Sequence, residues 1–258
     1  MLKKRLLARL DIKSPNLIKP VRMEGVKVVG NPNEFAKRYY EQGIDEILYI
    51  DVVASLYGRN ALEDLVSQTA EEVFVPITVG GGIRSVDDAK RLLRCGADKI
   101  CLNTAAVKRP ELINELTAKF GSQCVVIQID SKRLVWPGGD AYTDMVWVDG
   151  GRENTGKCVE DWARQAIDRG AGEILLTSID REGTQKGFDL DLIRCVAKES
   201  KVPVVASGGM GVPNDAVLAF KQGADAIAMA HCLHYDTCFL SHTKDAMKQA
   251  GVPVREAA

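Results

Sequence analysis

Four short segments constrain this chain more than anything else in it. Gly43-Ile-Asp45, Gly96-Ala-Asp98, Gly170-Ala-Gly172 and Gly223-Ala-Asp225 each stand between a helix-like stretch and a strand-like stretch. Gly43 and Gly96 are 53 residues apart, and so are Gly170 and Gly223; the shift from the first pair to the second is 127 residues. A period of that size marks duplicated βα supersecondary units. With the same shift the turn Gly80-Gly81-Gly82-Ile-Arg84 falls on Ser207-Gly208-Gly209-Met-Gly211.

Apolar runs consistent with buried parallel strands lie at 5–11, 46–52, 75–79, 99–103, 124–130, 173–178, 203–206 and 225–230. Helix signals fall between them. Asn31-Pro32, Ser85, Pro110 and Pro213 read as starts, and Gly43, Gly96, Gly121 and Gly223 as ends. Eight βα units predict a single (β/α)8 TIM barrel over 1–258, built of two half-barrels of about 1–121 and 122–258. A doubly wound open sheet is the alternative. A chain of 258 residues with 46% hydrophobic content has core enough for a barrel of that size.

A net charge of −1 gives no footprint for nucleic acid or an anionic membrane, and no apolar run reaches the roughly 20 residues of a membrane span. The first residues, Met1-Leu-Lys-Lys-Arg5, lack a signal-peptide pattern. Seven cysteines without Cys-x-x-Cys spacing fit reduced thiols and a cytoplasmic location.

Barrel active sites lie at the C-terminal ends of strands. There, Leu10-Asp11-Ile-Lys13 echoes Ile129-Asp130-Ser-Lys132, setting one carboxylate at each side of the mouth. Two such groups work as acid and base when their surroundings separate their pKa values. Alternatively, each aspartate caps the turn that follows it. Two glycine-rich turns that each lead into a helix are suited to gripping the two anionic ends of one ligand. The candidates are Gly82 with Asn103 and Thr104 at one end, and Gly183, Gly209 and the Ala230-His231 amides at the other. Tight strand-to-helix packing is the other reason for such glycines. Two long loops, 13–31 and 132–155, leave the same face as lids, the second carrying a small hairpin around Trp136-Pro-Gly-Gly-Asp140.

At the opposite ends of strands stand Arg5, Glu46, Lys99 and Glu173. Either they pair into a ring that closes the barrel floor or they point to solvent at strand starts. His231-Cys-Leu-His234-Tyr-Asp-Thr-Cys238 has no companion cluster elsewhere, so no metal is expected. No Gly-x-Ser-x-Gly or reactive-cysteine signature is present.

These residues, together with Thr78-Val-Gly-Gly-Gly-Ile-Arg-Ser85, Asn103-Thr-Ala-Ala-Val107, Phe120-Gly-Ser-Gln-Cys124 and Leu175-Leu-Thr-Ser-Ile-Asp-Arg-Glu-Gly-Thr184, resemble the cyclase subunit of imidazole glycerol phosphate synthase, the HisF family. The resemblance covers nearly the whole chain. It implies a cofactor-free ammonia-dependent lyase paired as a heterodimer with a HisH-type glutaminase. Such an enzyme converts a phosphoribulosyl-formimino aminoimidazole carboxamide ribonucleotide to imidazole glycerol phosphate and aminoimidazole carboxamide ribonucleotide. Carried over by motif, Asp11 and Asp130 are the acid/base pair, while Lys19, Gly82, Asn103, Thr104, Gly183, Gly209 and His231 hold substrate and its phosphates. Arg5, Glu46, Lys99 and Glu173 form the ammonia gate, and Asp98 and Gln123 face the partner. Departures from the family pattern are Arg9 for a Cys, Ser14-Pro15-Asn16 for Asp-Gly-Arg, Pro20 for a Gly, Glu182 for an Asp and His231 for a Ser. They resemble second HisF copies tied to surface-polysaccharide synthesis, which makes an ammonia conduit for sugar amidation the alternative function. A phosphoribosyl sugar isomerase on the same plan has no need of a gate.

Overall fold

The computed structural model of the protein describes residues 3–54, 62–138 and 141–255. Eight parallel strands close on themselves in the order β1 (Arg5–Lys13), β4 (Glu46–Asp51), β5 (Ile77–Gly80), β6 (Lys99–Leu102), β7 (Val125–Val135), β10 (Glu173–Ser178), β11 (Val204–Ser207) and β12 (Ala226–Met229), and β12 pairs back to β1. The architecture is the (β/α)8 barrel the repeat predicts.

Helices cover the outside: α1 (Pro32–Glu41), α2 (Glu63–Glu72), α3 (Val86–Arg94), α4 (Thr104–Lys108), α5 (Glu111–Phe120), α6 (Val159–Asp168), α7 (Leu190–Glu199), α8 (Pro213–Lys221), α9 (His231–His234) and α10 (Leu240–Gln249). Local sequence sets their starts. Ser85 and Asp88 form a reciprocal cap on α3, Ser85 Oγ accepting from Asp88 N at 3.1 Å and Asp88 Oδ2 from Ser85 N at 3.0 Å. Asn31 and Asp189 cap α1 and α7 with their side chains.

The Gly-x-Asp repeat has a physical cause. The glycine ends a helix in the left-handed region, at φ 109° for Gly96 and 103° for Gly223. The aspartate then reaches sideways to an open backbone N–H of an adjacent strand: Asp45 to Leu6 (2.8 Å), Asp98 to Ile77 (2.8 Å), Asp225 to Val204 (3.1 Å). The fourth copy departs for a steric reason. A Cβ on Gly172 would lie 2.0 Å from the Ser122 carbonyl oxygen.

Both long loops are more regular than the sequence predicts. Residues 13–31 form an antiparallel hairpin, β2 (Asn16–Val21) and β3 (Glu24–Gly30), with β2 paired to β1. After Asp130, β7 runs on and pairs with β8 (Tyr142–Val148), which pairs with β9 (Glu153–Cys158). The hairpin predicted after Lys132 is therefore a three-stranded meander; Gly139 and Asp140 of its turn lie outside the described residues.

The apolar core has two parts. A large outer layer packs strands against helices, with Trp162, Tyr39 and Tyr49 among its fully buried members. A smaller one fills the barrel bore with Leu7, Leu48, Val126, Leu175, Val205, Ala226 and neighbours.

Candidate active site

Strand alternation places Arg5, Leu7, Arg9 and Asp11 of β1 on one face, and the buried bore shows that this face is the inner one. On β7 the equivalent positions are Val126, Gln128 and Asp130. Both aspartates are buried and line one cavity of about 470 Å³ at the C-terminal mouth, with Gly82, Asn103 and Thr104 at its rim.

The two carboxylates differ in their partners. Asp11 Oδ1 accepts from Arg9 Nε at 2.9 Å, and Oδ2 from Lys19 Nζ at 3.3 Å. Among the described residues Asp130 accepts only from neutral amides, from Gln128 Nε2 at 2.7 Å and Asn103 Nδ2 at 2.6 Å. Burial raises the pKa of both. For Asp11 the charges of Arg9 and Lys19 outweigh that and hold it down to about 2. For Asp130 burial prevails and pushes it up to about 6, despite Arg9 and the Gln128 bond. One carboxylate is a fixed anion, and the other titrates near pH 6, within reach of neutrality.

Around the first anion candidate, Gly81 takes φ 98°, and a Cβ there would lie 2.3 Å from the Asp51 carbonyl oxygen. The turn is thus pressed against β4, which lets only glycine approach. Thr104 Oγ1 accepts from Asp149 N at 3.0 Å, pinning the β8–β9 connection to the rim, and Lys108 Nζ reaches Asp149 Oδ2 at 2.9 Å.

The second candidate is assembled differently. Lys19 and His231 line a separate concavity of about 620 Å³ with Val21, Lys27 and Tyr235. Gly183 packs on Pro20 and Val21 of β2, and Gly209 on the Gly187 carbonyl, which leaves both as backbone supports of this end. Lys19 is also in an ion pair with Glu182, which is buried. His231 is half-buried; desolvation and then Lys19 lower its pKa, so the ring is neutral near pH 7. Its ring packs against Tyr235, centroids 4.6 Å apart and planes tilted by 47°, and its Nδ1 finds no partner among the described residues.

The floor is a closed ring. Arg5 Nη1 meets Glu46 Oε1 at 2.5 Å and Arg5 Nη2 pairs with Glu173, while Lys99 Nζ reaches Glu46 Oε2 at 3.2 Å and Glu173 Oε2 at 3.0 Å. Asp98 and Gln123 are exposed at the same end, Asp98 already bonded to Ile77 N.

Arg9, Gln128 and Glu182 contribute to the site without having been singled out for chemistry in the sequence. The signal for the first two is strand periodicity: each stands two residues before an aspartate, on the same face. Among the described residues no group of His, Cys, Asp and Glu is arranged to hold a metal, and His234 of the Cys/His segment is tied to Tyr39 Oη at 2.7 Å. No described helix is long and apolar enough to cross a membrane.

Fold and site together define a (β/α)8 barrel with two carboxylates of well-separated pKa in its mouth and an ion-pair ring at its floor. The model of a family described as "Histidine biosynthesis protein" matches residues 5–238. The chain is 47% identical over 252 residues to the imidazole glycerol phosphate synthase subunit HisF of Micrococcus luteus (97% of this chain, 98% of that one). Against the HisF subunit of Methanococcus maripaludis it is 44% identical over 271 residues, covering 99% and 100% of the two chains. Against that of Legionella pneumophila it is 62% identical over 210 residues, covering 80% and 95%. The chain belongs to the histidine biosynthesis family, in its HisF branch.

Proposed function

We propose that the chain is a HisF-type cyclase, a lyase of histidine biosynthesis. It would use ammonia to convert the phosphoribulosyl-formimino aminoimidazole carboxamide ribonucleotide to imidazole glycerol phosphate and aminoimidazole carboxamide ribonucleotide. The observation that carries this reading is the pair Asp11 and Asp130 on one cavity, with pKa values near 2 and 6. Attack by ammonia and closure of an imidazole ring both require protons to leave nitrogen and reach oxygen. Asp130 is the group whose proton is exchangeable near neutral pH, and Asp11 the fixed negative charge that stabilises a developing cation.

Gly82, Asn103 and Thr104 then hold one phosphate end, and Lys19, Gly183, Gly209 and His231 the other. Arg5, Glu46, Lys99 and Glu173 act as the gate through which ammonia from a HisH-type glutaminase enters, with Asp98 and Gln123 on the docking face of a cytoplasmic heterodimer. The two half-barrels, about 1–121 and 122–258, each supply one aspartate and the glycine turn of one anion end, with Lys19 of the first half reaching the second end. An ammonia conduit for sugar amidation would need the floor ring alone; the paired carboxylates and the named relatives favour the cyclase. An isomerase would have no use for the ring.

The test is to supply purified protein with the formimino nucleotide and an ammonium salt. Formation of imidazole glycerol phosphate supports the reading. Folded protein with no turnover overturns it in favour of the conduit.

A further inference from the structure

The floor ring closes the bore at one end; the question is what separates the bore from the site cavity at the other. Going up the inner wall of β1, Arg5 belongs to the floor, Leu7 to the apolar layer, Arg9 to the next layer and Asp11 to the cavity. The neighbouring strand β12 faces the bore with only Ala226 and Ala228, which leaves room beside Leu7. Arg9 fills that room. Its side chain passes over β12 to the two strands beyond it, where Nη1 donates to Thr177 Oγ1 of β10 at 3.0 Å and to Ser207 Oγ of β11 at 3.1 Å. Nε stays on Asp11. Arg9, Thr177 and Ser207 are all buried.

From across the barrel Gln128 completes the layer, bonded to Asp130 above and approached by Cys101 Sγ at 3.9 Å. Beneath the layer the bore down to the floor ring is lined mainly by apolar side chains, Leu175 and Val205 among them, with the uncharged hydroxyl of Thr78 beside Leu48. An ion or a hydrated cation is excluded from such a chamber, whereas a small neutral molecule crosses it.

Arg9 is held unequally at its two ends. The bond to Asp11 joins opposite charges, and the bonds to Thr177 and Ser207 go to neutral hydroxyls, which hold less strongly. The far end therefore releases first, and the guanidinium turns about Asp11.

We propose that Arg9 is a second closure of the barrel bore, which shuts the apolar chamber off from the carboxylates and opens when its guanidinium leaves Thr177 and Ser207. This deepens the proposed function and rests on its assignment of the bore as the nitrogen route. Arg9 is thereby a positioning residue: it fixes Asp11 and times what reaches it from below.

The closure is tested with a reporter thiol inside the chamber. Leu175→Cys puts it one inward position below Thr177, and methyl methanethiosulfonate labelling is followed at each cysteine by mass spectrometry. With Arg9 present the reporter is expected to stay unlabelled while exposed Cys195 reacts. With Arg9→Ala added, the reporter should label ~10-fold faster or more, as for local opening of a closed region, with buried Cys232 still protected as the control for unfolding. Unchanged labelling at the reporter overturns the closure. If Arg9→Ala unfolds the chain, so that Cys232 reacts as well, the double change Thr177→Val with Ser207→Ala decides instead. It frees the far end and keeps the Asp11 pair, and it should accelerate the reporter alone; no acceleration overturns the proposal. Labelling needs no turnover, so a failed cyclase assay removes the nitrogen route without touching this result.

Discussion

Gln128 donates to Asp130 at 2.7 Å from two residues earlier on the same strand. Arg9 occupies the corresponding place before Asp11 and donates to it at 2.9 Å. One duplicated geometry thus carries a neutral amide in one half and a guanidinium in the other. That single difference in charge, reinforced by Lys19, is what separates the two carboxylates.

The separation has a cost to stability that pH exposes. Asp130 has a folded pKa of about 6 against an ordinary value of 3.8, so between those pH values the folded chain binds the proton more tightly than the unfolded one. Stability from this group is therefore full below about pH 4 and declines as pH rises to 6. Asp130→Asn removes the decline. Relative to the natural chain, the variant should gain nothing at pH 4 and ~1–3 kcal/mol at pH 7. Urea melts across that range measure it. A gain independent of pH would place the effect elsewhere.

Activity should move the other way. If Asp130 shuttles the proton and Asp11 supplies fixed charge, Asp130→Asn and Asp11→Asn each lower ammonia-dependent turnover by ~10²-fold or more, the scale of losing a positioned proton carrier. Steady-state kinetics with saturating ammonium salt report it. Full activity in either variant removes that residue from the mechanism.

Arg9→Gln tests the charge difference directly, because it gives Asp11 the donor type that Asp130 has. The Asp11 pKa should rise from about 2, with Lys19 still holding it below Asp130. Carboxyl carbon chemical shifts followed against pH read the change at the single residue. An unmoved Asp11 would mean that Lys19 alone keeps it ionised.

The barrel was legible in the chain because its signals are local and repeated. Gly-x-Asp, Ser85 with Asp88 and the two glycine turns each answer a backbone demand within a few residues, and strand periodicity carries Arg5 and Glu173 to one ring. Two kinds of feature were less visible. The hairpin Asn16–Gly30 reads as a loop because Pro15, Pro20 and Gly25 interrupt its alternation, and its pairing to β1 is fixed only by tertiary contact. Arg9 was visible as a departure, but its reach over Ala226 and Ala228 depends on small residues more than 200 positions away. Such side-chain destinations are set by what the far strand leaves empty.

The second glycine turn should not tolerate a side chain. A Cβ on Gly209 would sit 2.1 Å from the Gly187 carbonyl oxygen, at a φ of 106°. Gly209→Ala must therefore shift the loop after β10, which carries Gly183 and Glu182. Inorganic phosphate soaked into crystals should fill both ends in the natural chain, one beside Gly82 and Thr104 and one beside Gly183 and Gly209, and only the first in the variant. Occupancy of both ends in Gly209→Ala would show that the loop does not hold the second anion; one filled end in the natural chain would point to a changed substrate.

The floor ring separates a conduit from a simple staple. Lys99 touches both Glu46 and Glu173, and without it two buried carboxylates share Arg5 alone. Lys99→Leu should cost ~3 kcal/mol or more of stability, because breaking a buried pair leaves charge uncompensated. That loss by itself acts on every assay alike. If the proposed gate holds, added ammonium reaches the carboxylates through the open mouth, whereas nitrogen released by a glutaminase docked at the floor would have to cross the ring. The ratio of glutamine-dependent to ammonium-dependent turnover in the complex is therefore the informative quantity, since instability cancels from it. The ring acts as a gate if the ratio changes in Lys99→Leu. It serves only to stabilise the barrel if both nitrogen sources lose activity in equal proportion.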